Sequence, residues 1–438
     1  MSTAPVATYL LGVATCDVTP PVGTMLSGFG SRRTPSTGCY LPLRGSVTAL
    51  TNRATGVTAL IVSVEWLGFY NRTAGVRALL AAATGVPADH ILLLGTHTHC
   101  GPAVARRTAG DCWEDTDEKF LTAAFARLAE TAQAALAGRE PVTLHSATSW
   151  CGFAYSRRKP DGKGGITWAP TLDAPHDHAV PLLRCDDMSG KVKQLFFGYA
   201  CHPTSSGPIL EIGGDYPGFA RTELEKNLNG PATFLLGCAG DQKPWRPVAG
   251  EPTFPCYPLP EIAELGRDLA GAVQRELQFG RWQAVTGPLR VRSCTMELHT
   301  VILPRADYEA MRGSENKFFD HWARLNLAYL DRGEHPPTAL PFEIQTISLG
   351  GSWVLIAMAG EINVEYGLRL QRELGGRFAQ VWPVGYANEI LGYVPSERQI
   401  PEGGYEVIGS NMYMGRTGPF ESGTEEKIIN AIREMLED

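Results

Sequence analysis

Ile91-Leu92-Leu93-Leu94-Gly95-Thr96-His97-Thr98-His99-Cys100-Gly101-Pro102 is an unbroken apolar run of strand length, a glycine, and then two histidines two residues apart. Such a run suits a strand covered on both faces. In extended chain, residues i and i+2 face the same way, so both imidazoles are expected in one pocket. Neutral imidazole is a common zinc ligand; the alternative for an isolated pair is two histidines hydrogen-bonded in a loop. The pattern recurs twice. Gln194–Tyr199 is a second buried run and leads through Ala200 and Cys201 to His202, while Trp353–Met358 leads through Ala359 and Gly360 to Glu361. Open α/β sheets collect their sites at strand C-termini, and two His with one Glu is a ligand type of catalytic zinc sites. Taken singly, His202 reads as a satisfied core histidine and Glu361 as a cap for the helix after it. Together, His97, His202 and Glu361 read as a metal set.

Working outward, Thr58–Val64, Val180–Leu183 and Thr233–Leu236 are further buried runs, and Leu289–Thr300 and Phe342–Leu349 alternate as half-buried strands do. Gly350-Gly351 between Phe342–Leu349 and Trp353–Met358 is a hairpin signal. Asp115 with Glu118 reads as a capping box, after which Leu121, Phe125, Leu128, Ala132 and Leu136 recur at helical spacing up to Gly138. Ile262, Leu265, Leu269, Val273 and Leu277 mark a second helix, from Pro260 to Gln278. Others are predicted near 72–84, 217–228, 305–331, 364–374 and 424–437. Strands interleaved with helices predict an α/β fold: a mixed β-sheet core flanked by helices, with the metal site at the strand C-terminal edge. The loop Arg157–Pro175, rich in Gly, Pro and charge, is predicted as a mobile lid.

Composition narrows the function. A chain of 438 residues, 44% hydrophobic, needs neither disulfide nor metal merely to hold a core together. Its net charge of −7 comes without a Lys/Arg stripe, which argues against nucleic acid as a partner. No apolar run approaches the length of a membrane span, so no stable membrane association is expected. The segment Met1–Gly12 lacks a basic region and does not read as a signal peptide. The ten cysteines form no CxxC pair and read as free buried thiols. A cytoplasmic protein with a small-molecule substrate is the expectation; the sequence leaves the oligomeric state open.

Other chemistries find little support. His176-Asp177-His178 precedes a strand instead of following one, which places it at the opposite sheet edge as a solvated turn. There is no GxSxG elbow, GxxxxGKS/T loop or GxGxxG. Cys100 and Cys201 each adjoin a histidine, but neighbours on a strand point to opposite faces, so neither pair makes a Cys–His dyad.

These segments together resemble the neutral ceramidase family over most of the chain. Gly12-Val13-Ala14-Thr15-Cys16-Asp17-Val18-Thr19-Pro20 is similar to its N-terminal signature, and Thr96–Pro102 to its T-H-T-H-S-G-P block. His202 with Gly214–Ala220, Ala239-Gly240-Asp241, Gly360-Glu361, Gly392-Tyr393-Val394-Pro395 and Gly404-Tyr405-Glu406 follow in order. The resemblance implies a single catalytic domain over 1–438, subdivided into a core of 1–285 and a C-terminal part, 286–438, supplying Glu361 and Tyr393. It implies Zn2+ held by His97, His202, Glu361 and Tyr393. It places His99, Arg157 and Tyr405 around a reacting carbonyl, with Arg158 as the alternative to Arg157. The chain departs from the family at Gly240-Asp241-Gln242-Lys243-Pro244, where the family has a serine at the position of Lys243. It also ends near Asp438, where full-length ceramidases are expected to continue into a further domain.

The expected activity is metal-assisted hydrolysis of an amide (N-acyl) bond. Arg157 and Tyr405 would stabilise the oxyanion and His99 would relay a proton. Lys243, with Arg158 and Asp241, is expected to bind the substrate, which the lysine would bias toward an anionic group. One alternative keeps the metal and cleaves an ester, lactone or glycosidic bond, with Glu65 or Asp241 as acid or base; their other reading is support for the metal histidines. The last alternative is a ligand-binding protein without catalysis.

Overall fold

Thr58–Val64 and Ile91–Gly95 run parallel, with Leu60 opposite Ile91, and helix Thr73–Thr84 lies between them in the chain. Their side chains alternate between two cores. Leu60, Val62, Ile91 and Leu93 pack with helices Thr73–Thr84 and Glu118–Ala137. Ala59, Ile61, Leu92 and Leu94 face the other way, into a layer shared with a second sheet. This double coverage is why both strands read as continuous apolar runs. The computed structural model describes residues 8–105, 115–228, 230–247 and 253–437. Residues 1–7 and Cys112, read above as part of the N-terminal segment and as a free thiol, lie outside the described residues.

Among the described residues the larger sheet has nine strands. Its order is Ala232–Leu236, Val192–Tyr199, Ala179–Asp187, Glu140–Trp150, Tyr9–Asp17, Arg44–Asn52, Thr58–Val64, Ile91–Gly95, with Gln283–Val285 also paired to Glu140–Trp150. The pairs at its two ends are parallel and those between are antiparallel. The smaller sheet comprises Leu289–His299, Ala339–Leu349, Trp353–Met358 and Gln380–Val384. Trp353, Leu355, Ala357, Trp382 and Val384 of the smaller sheet pack on Ile61, Leu92, Leu94, Phe196 and Leu235 of the larger. Each fully buried Leu, Ile or Phe contributes about 1.5–3 kcal/mol relative to exposure, so this layer holds the sheets face to face. Helices Asp215–Glu225 and Leu259–Phe279 complete the outer cover of the larger sheet. Val364–Leu374 and Thr424–Leu436 cover the smaller one. The α/β class and mixed sheet hold, as four layers with two sheets inside.

Several local expectations change. The cap of helix Glu118–Ala137 is Asp117, whose Oδ1 accepts from the Phe120 amide at 2.9 Å, and not Asp115. The predicted helix over 305–331 is two, Arg305–Met311 and Lys317–Asp331, with Gly313 at φ +79° between them. The Arg157–Pro175 segment is not an irregular loop. Most of it belongs to a hairpin of Ala154–Pro160 with Ile166–Thr171, whose turn is closed by Asp161 accepting from the amides of Lys163 and Gly165 at 2.7 and 3.0 Å. Arg157 and Arg158 are buried in that hairpin.

Candidate metal centre

His97 follows Ile91–Gly95 on a backbone turned to φ +63°, a left-handed conformation that costs a non-glycine residue of order 1–3 kcal/mol and persists only when its surroundings enforce it. Here they do. The His97 amide donates to the Trp66 carbonyl at 2.8 Å, and its Nδ1 lies 2.8 Å from the Leu67 carbonyl. His202 is fully buried, with Nδ1 2.6 Å from the Ala239 carbonyl. A carbonyl only accepts, so both Nδ1 atoms carry the proton, and in the neutral ring each Nε2 is left with a lone pair. Those lone pairs converge. His97 Nε2 and His202 Nε2 lie 3.2 and 3.1 Å from Glu361 Oε2.

Glu361 and Tyr393 sit directly opposite each other in a short parallel pair, Glu361–Ile362 with Tyr393–Val394. That register brings the Tyr393 hydroxyl 3.4 Å from His202 Nε2. Two imidazole lone pairs and a carboxylate oxygen at this spacing repel unless a positive charge lies among them, so the donor set fits a cation. Burial lowers the His202 imidazole to about 4, even with Glu361 opposing that. Burial alone would raise the Glu361 carboxyl, but the two imidazoles outweigh it and hold it well below its ordinary range. Near pH 7, His202 is therefore neutral and Glu361 ionised, the states a metal ligand needs.

His99 is also here. Its ring centroid is 5.0 Å from that of His97, and the ring nitrogens of His97, His99 and His202 lie within 4.8 Å of one another. Both His99 nitrogens are buried without a hydrogen-bond partner among the described residues, and burial with the neighbouring histidines drives its imidazole well below its ordinary value. Phe29 meets the His99 ring edge-on at 4.8 Å. Gly28, at φ +100°, lies so close that a β-carbon there would overlap the His99 ring.

A cavity opens above this cluster, walled by His97, His99, Glu361, Tyr393 and Tyr405 on its polar side and by Leu67, Phe318 and Met414 among others. Arg157 lies beside this wall, its guanidinium carbon 5.1 and 5.4 Å from the rings of Tyr393 and Tyr405. The structure thus brings His97, His99, His202, Glu361, Tyr393, Tyr405 and Arg157 together.

Three expected substrate contacts are absent from the cavity wall. Arg158 is spent on Glu406, Glu402 and the Gly403 carbonyl. Lys243 points to the Thr204 carbonyl and hydroxyl, at 2.8 and 3.1 Å, with burial lowering its ammonium to about 8. Asp241 accepts from the Val364 amide and from Gln399 Nε2, both at 2.9 Å. It also offers its carbonyl to the Arg157 amide at 2.9 Å, so it ties the ligand-bearing segments together instead of facing substrate. Glu65 is paired to Arg221 at 2.6 Å, again away from the cavity wall. Glu361 does not cap the helix after it; Asp241 takes that amide. His176 and His178 pack on Tyr155, apart from the cluster.

Sequence reasoning missed Tyr386. Its ring lies 4.3 Å from that of His97 and its hydroxyl 3.4 Å from His202 Nδ1, on a backbone at φ +57°. The signal was present: Gln380–Val384 is one more buried strand, followed by Gly385 and Tyr386. Pro383 obscured it.

The chain has a neutral ceramidase-like α/β fold, and His97, His99 and His202 form a group that could hold a metal ion. The likeness rests on solved structures. Neutral ceramidase from Pseudomonas aeruginosa superposes with a TM-score of 0.75 at 17% identity, over 98% of this chain and 74% of that one. A ceramidase complexed with C2 gives 0.73 at 18% identity, over 98% and 75%. No protein-family model and no curated protein matches the sequence.

Proposed function

We propose that this chain is a zinc-dependent hydrolase that cleaves an amide (N-acyl) bond. The observation that carries the reading is the convergence of His97 Nε2, His202 Nε2 and Glu361 Oε2 on one point, with Tyr393 beside them, at the floor of a cavity. Zinc bound there would acidify a coordinated water toward about pH 7 and polarise a carbonyl. His97, His202, Glu361 and Tyr393 are the holding residues. His99, neutral and free of hydrogen bonds, would take up a proton and deliver it to the leaving nitrogen. The Tyr405 hydroxyl and Arg157 Nη2 would donate to the carbonyl oxygen as charge develops, each worth roughly 3–4 kcal/mol if aligned. Leu67, Phe318 and Met414 would exclude water and accept the apolar part of the substrate. Lys243 is not among the described residues of the cavity wall, so it gives no support to an anionic substrate.

Glu361 is the one carboxylate on the described cavity wall. Glycosidases generally need two, which favours acyl over glycosyl transfer. The test is a panel of N-acyl amides, matched esters and aryl glycosides, assayed on purified protein before and after chelation and with zinc restored. Amide turnover that disappears with chelation and returns with zinc is expected. A zinc-loaded protein that turns over no amide would refute the reading, and full activity in metal-free protein would refute the role of the ion.

A further inference from the structure

Glu406 belongs to no expected site, yet it is buried beside one. Its oxygens each accept one bond at 2.7 Å, Oε1 from Arg157 Nε and Oε2 from Arg158 Nη1. Two guanidinium groups on consecutive residues of one buried strand repel each other. A carboxylate shared between them relieves that repulsion and decides which edge of each group faces inward. Arg158 has other partners, Glu402 and the Gly403 carbonyl, both at 3.0 Å. Arg157 does not share them. Its Nη2 is buried without a hydrogen-bond partner among the described residues, and its guanidinium is sandwiched by the rings of Trp168, Tyr393 and Tyr405 at 4.3, 5.1 and 5.4 Å. Glu406 is also the residue after Tyr405, in the turn Tyr405–Gly409.

We propose that Glu406 is the positioning residue of the site: by holding Arg157 Nε it presents the free edge of that guanidinium to the reacting carbonyl, and through the chain it shares with Tyr405 it sets the spacing of both oxyanion donors. The reacting group rests on the amidase reading; the geometry does not. The rings stand at steep angles to one another, 85° between Trp168 and Tyr405 and 68° between Tyr393 and Tyr405, so they enclose the guanidinium without giving it a directional bond, and the Nε bond to Glu406 supplies one. A donor misaligned in this way loses most of its effect on the transition state while substrate binding is little changed.

The test combines a measurement that needs no substrate with one that does. In wild-type protein the Arg157 Nε–H resonance, assigned by its loss in Arg157→Lys, should exchange slowly with solvent. Glu406→Gln should speed that exchange at least about tenfold, as loss of a charge-assisted bond requires. On an N-acyl amide, Glu406→Gln should lower kcat about tenfold or more with KM within about twofold and zinc content unchanged, and should have no further effect in an Arg157→Ala background. Unchanged exchange overturns the proposal, and so does an equal loss of kcat in both backgrounds, which marks a purely structural role. If wild-type protein hydrolyses no amide, the functional reading falls and the exchange comparison alone decides the position of Arg157.

Discussion

His202 has no spare freedom: one ring nitrogen is fixed by Ala239 and the other aims at Glu361. His202→Ala should therefore cut bound zinc from about one ion per chain to under about a tenth, with circular dichroism unchanged; elemental analysis of the dialysed protein measures this. The same residue sets a pH response in metal-free protein. With its folded value lowered to about 4 from an ordinary 6.5, the unfolded chain binds more protons between those limits, so stability falls as pH drops through that window. Glu361, also depressed, adds to the loss at the acid end. Thermal melts of chelated protein from pH 8 to pH 4 should show this decline, flattened when zinc is present. His97, His202 and Glu361 were legible because each ends an apolar strand. Tyr393 was legible only through resemblance, and Glu406 and Phe29 not at all, since their roles come from packing between segments far apart in the chain. The contact of Lys243 with Thr204 was not legible for the same reason: a position in sequence does not say which way an ammonium points.

The short segment around Gly28 acts as a clamp on His99. Gly28→Ala adds a β-carbon where the imidazole stands and strains a backbone at φ +100°. It should lower amide turnover at least about tenfold through displacement of a group that acts only in correct alignment, while zinc content is retained; paired activity and metal assays check it. Asp117→Ala removes the cap on Glu118–Ala137 and should cost about 1 kcal/mol in urea unfolding without touching activity. Elements buried on two faces, such as Thr58–Val64 and Trp353–Met358, matched their apolar runs residue for residue. Those missed carry residues that interrupt an apolar run: Gly, Ser, Thr and Asn in Tyr9–Asp17, Arg44–Asn52 and Glu140–Trp150 in the middle of the larger sheet, Arg157-Arg158-Lys159 in the hairpin strand Ala154–Pro160, and Pro383 in the edge strand of the smaller sheet.

The two sheets each bring half of the candidate donor set. His97 and His202 leave strands of the larger sheet, while Glu361 and Tyr393 follow Trp353–Met358 and Gln380–Val384 of the smaller. A bound ion thus bridges the layers and should stabilise the whole molecule by about 2.7 kcal/mol at a free zinc concentration of 100 Kd. Calorimetry with and without chelator should show one transition shifting upward with zinc; no shift would separate the ion from the fold. Leu355→Ala, which hollows the layer between sheets, should cost about 2–5 kcal/mol and weaken zinc affinity in parallel. The order of the donors along the chain, at 97, 202, 361 and 393, has a consequence for biosynthesis. A ribosome must deliver the whole span from residue 97 to residue 393 before the four donors coexist. Nascent chains that stop short of residue 393 therefore carry at most a partial, leaky claim on the ion.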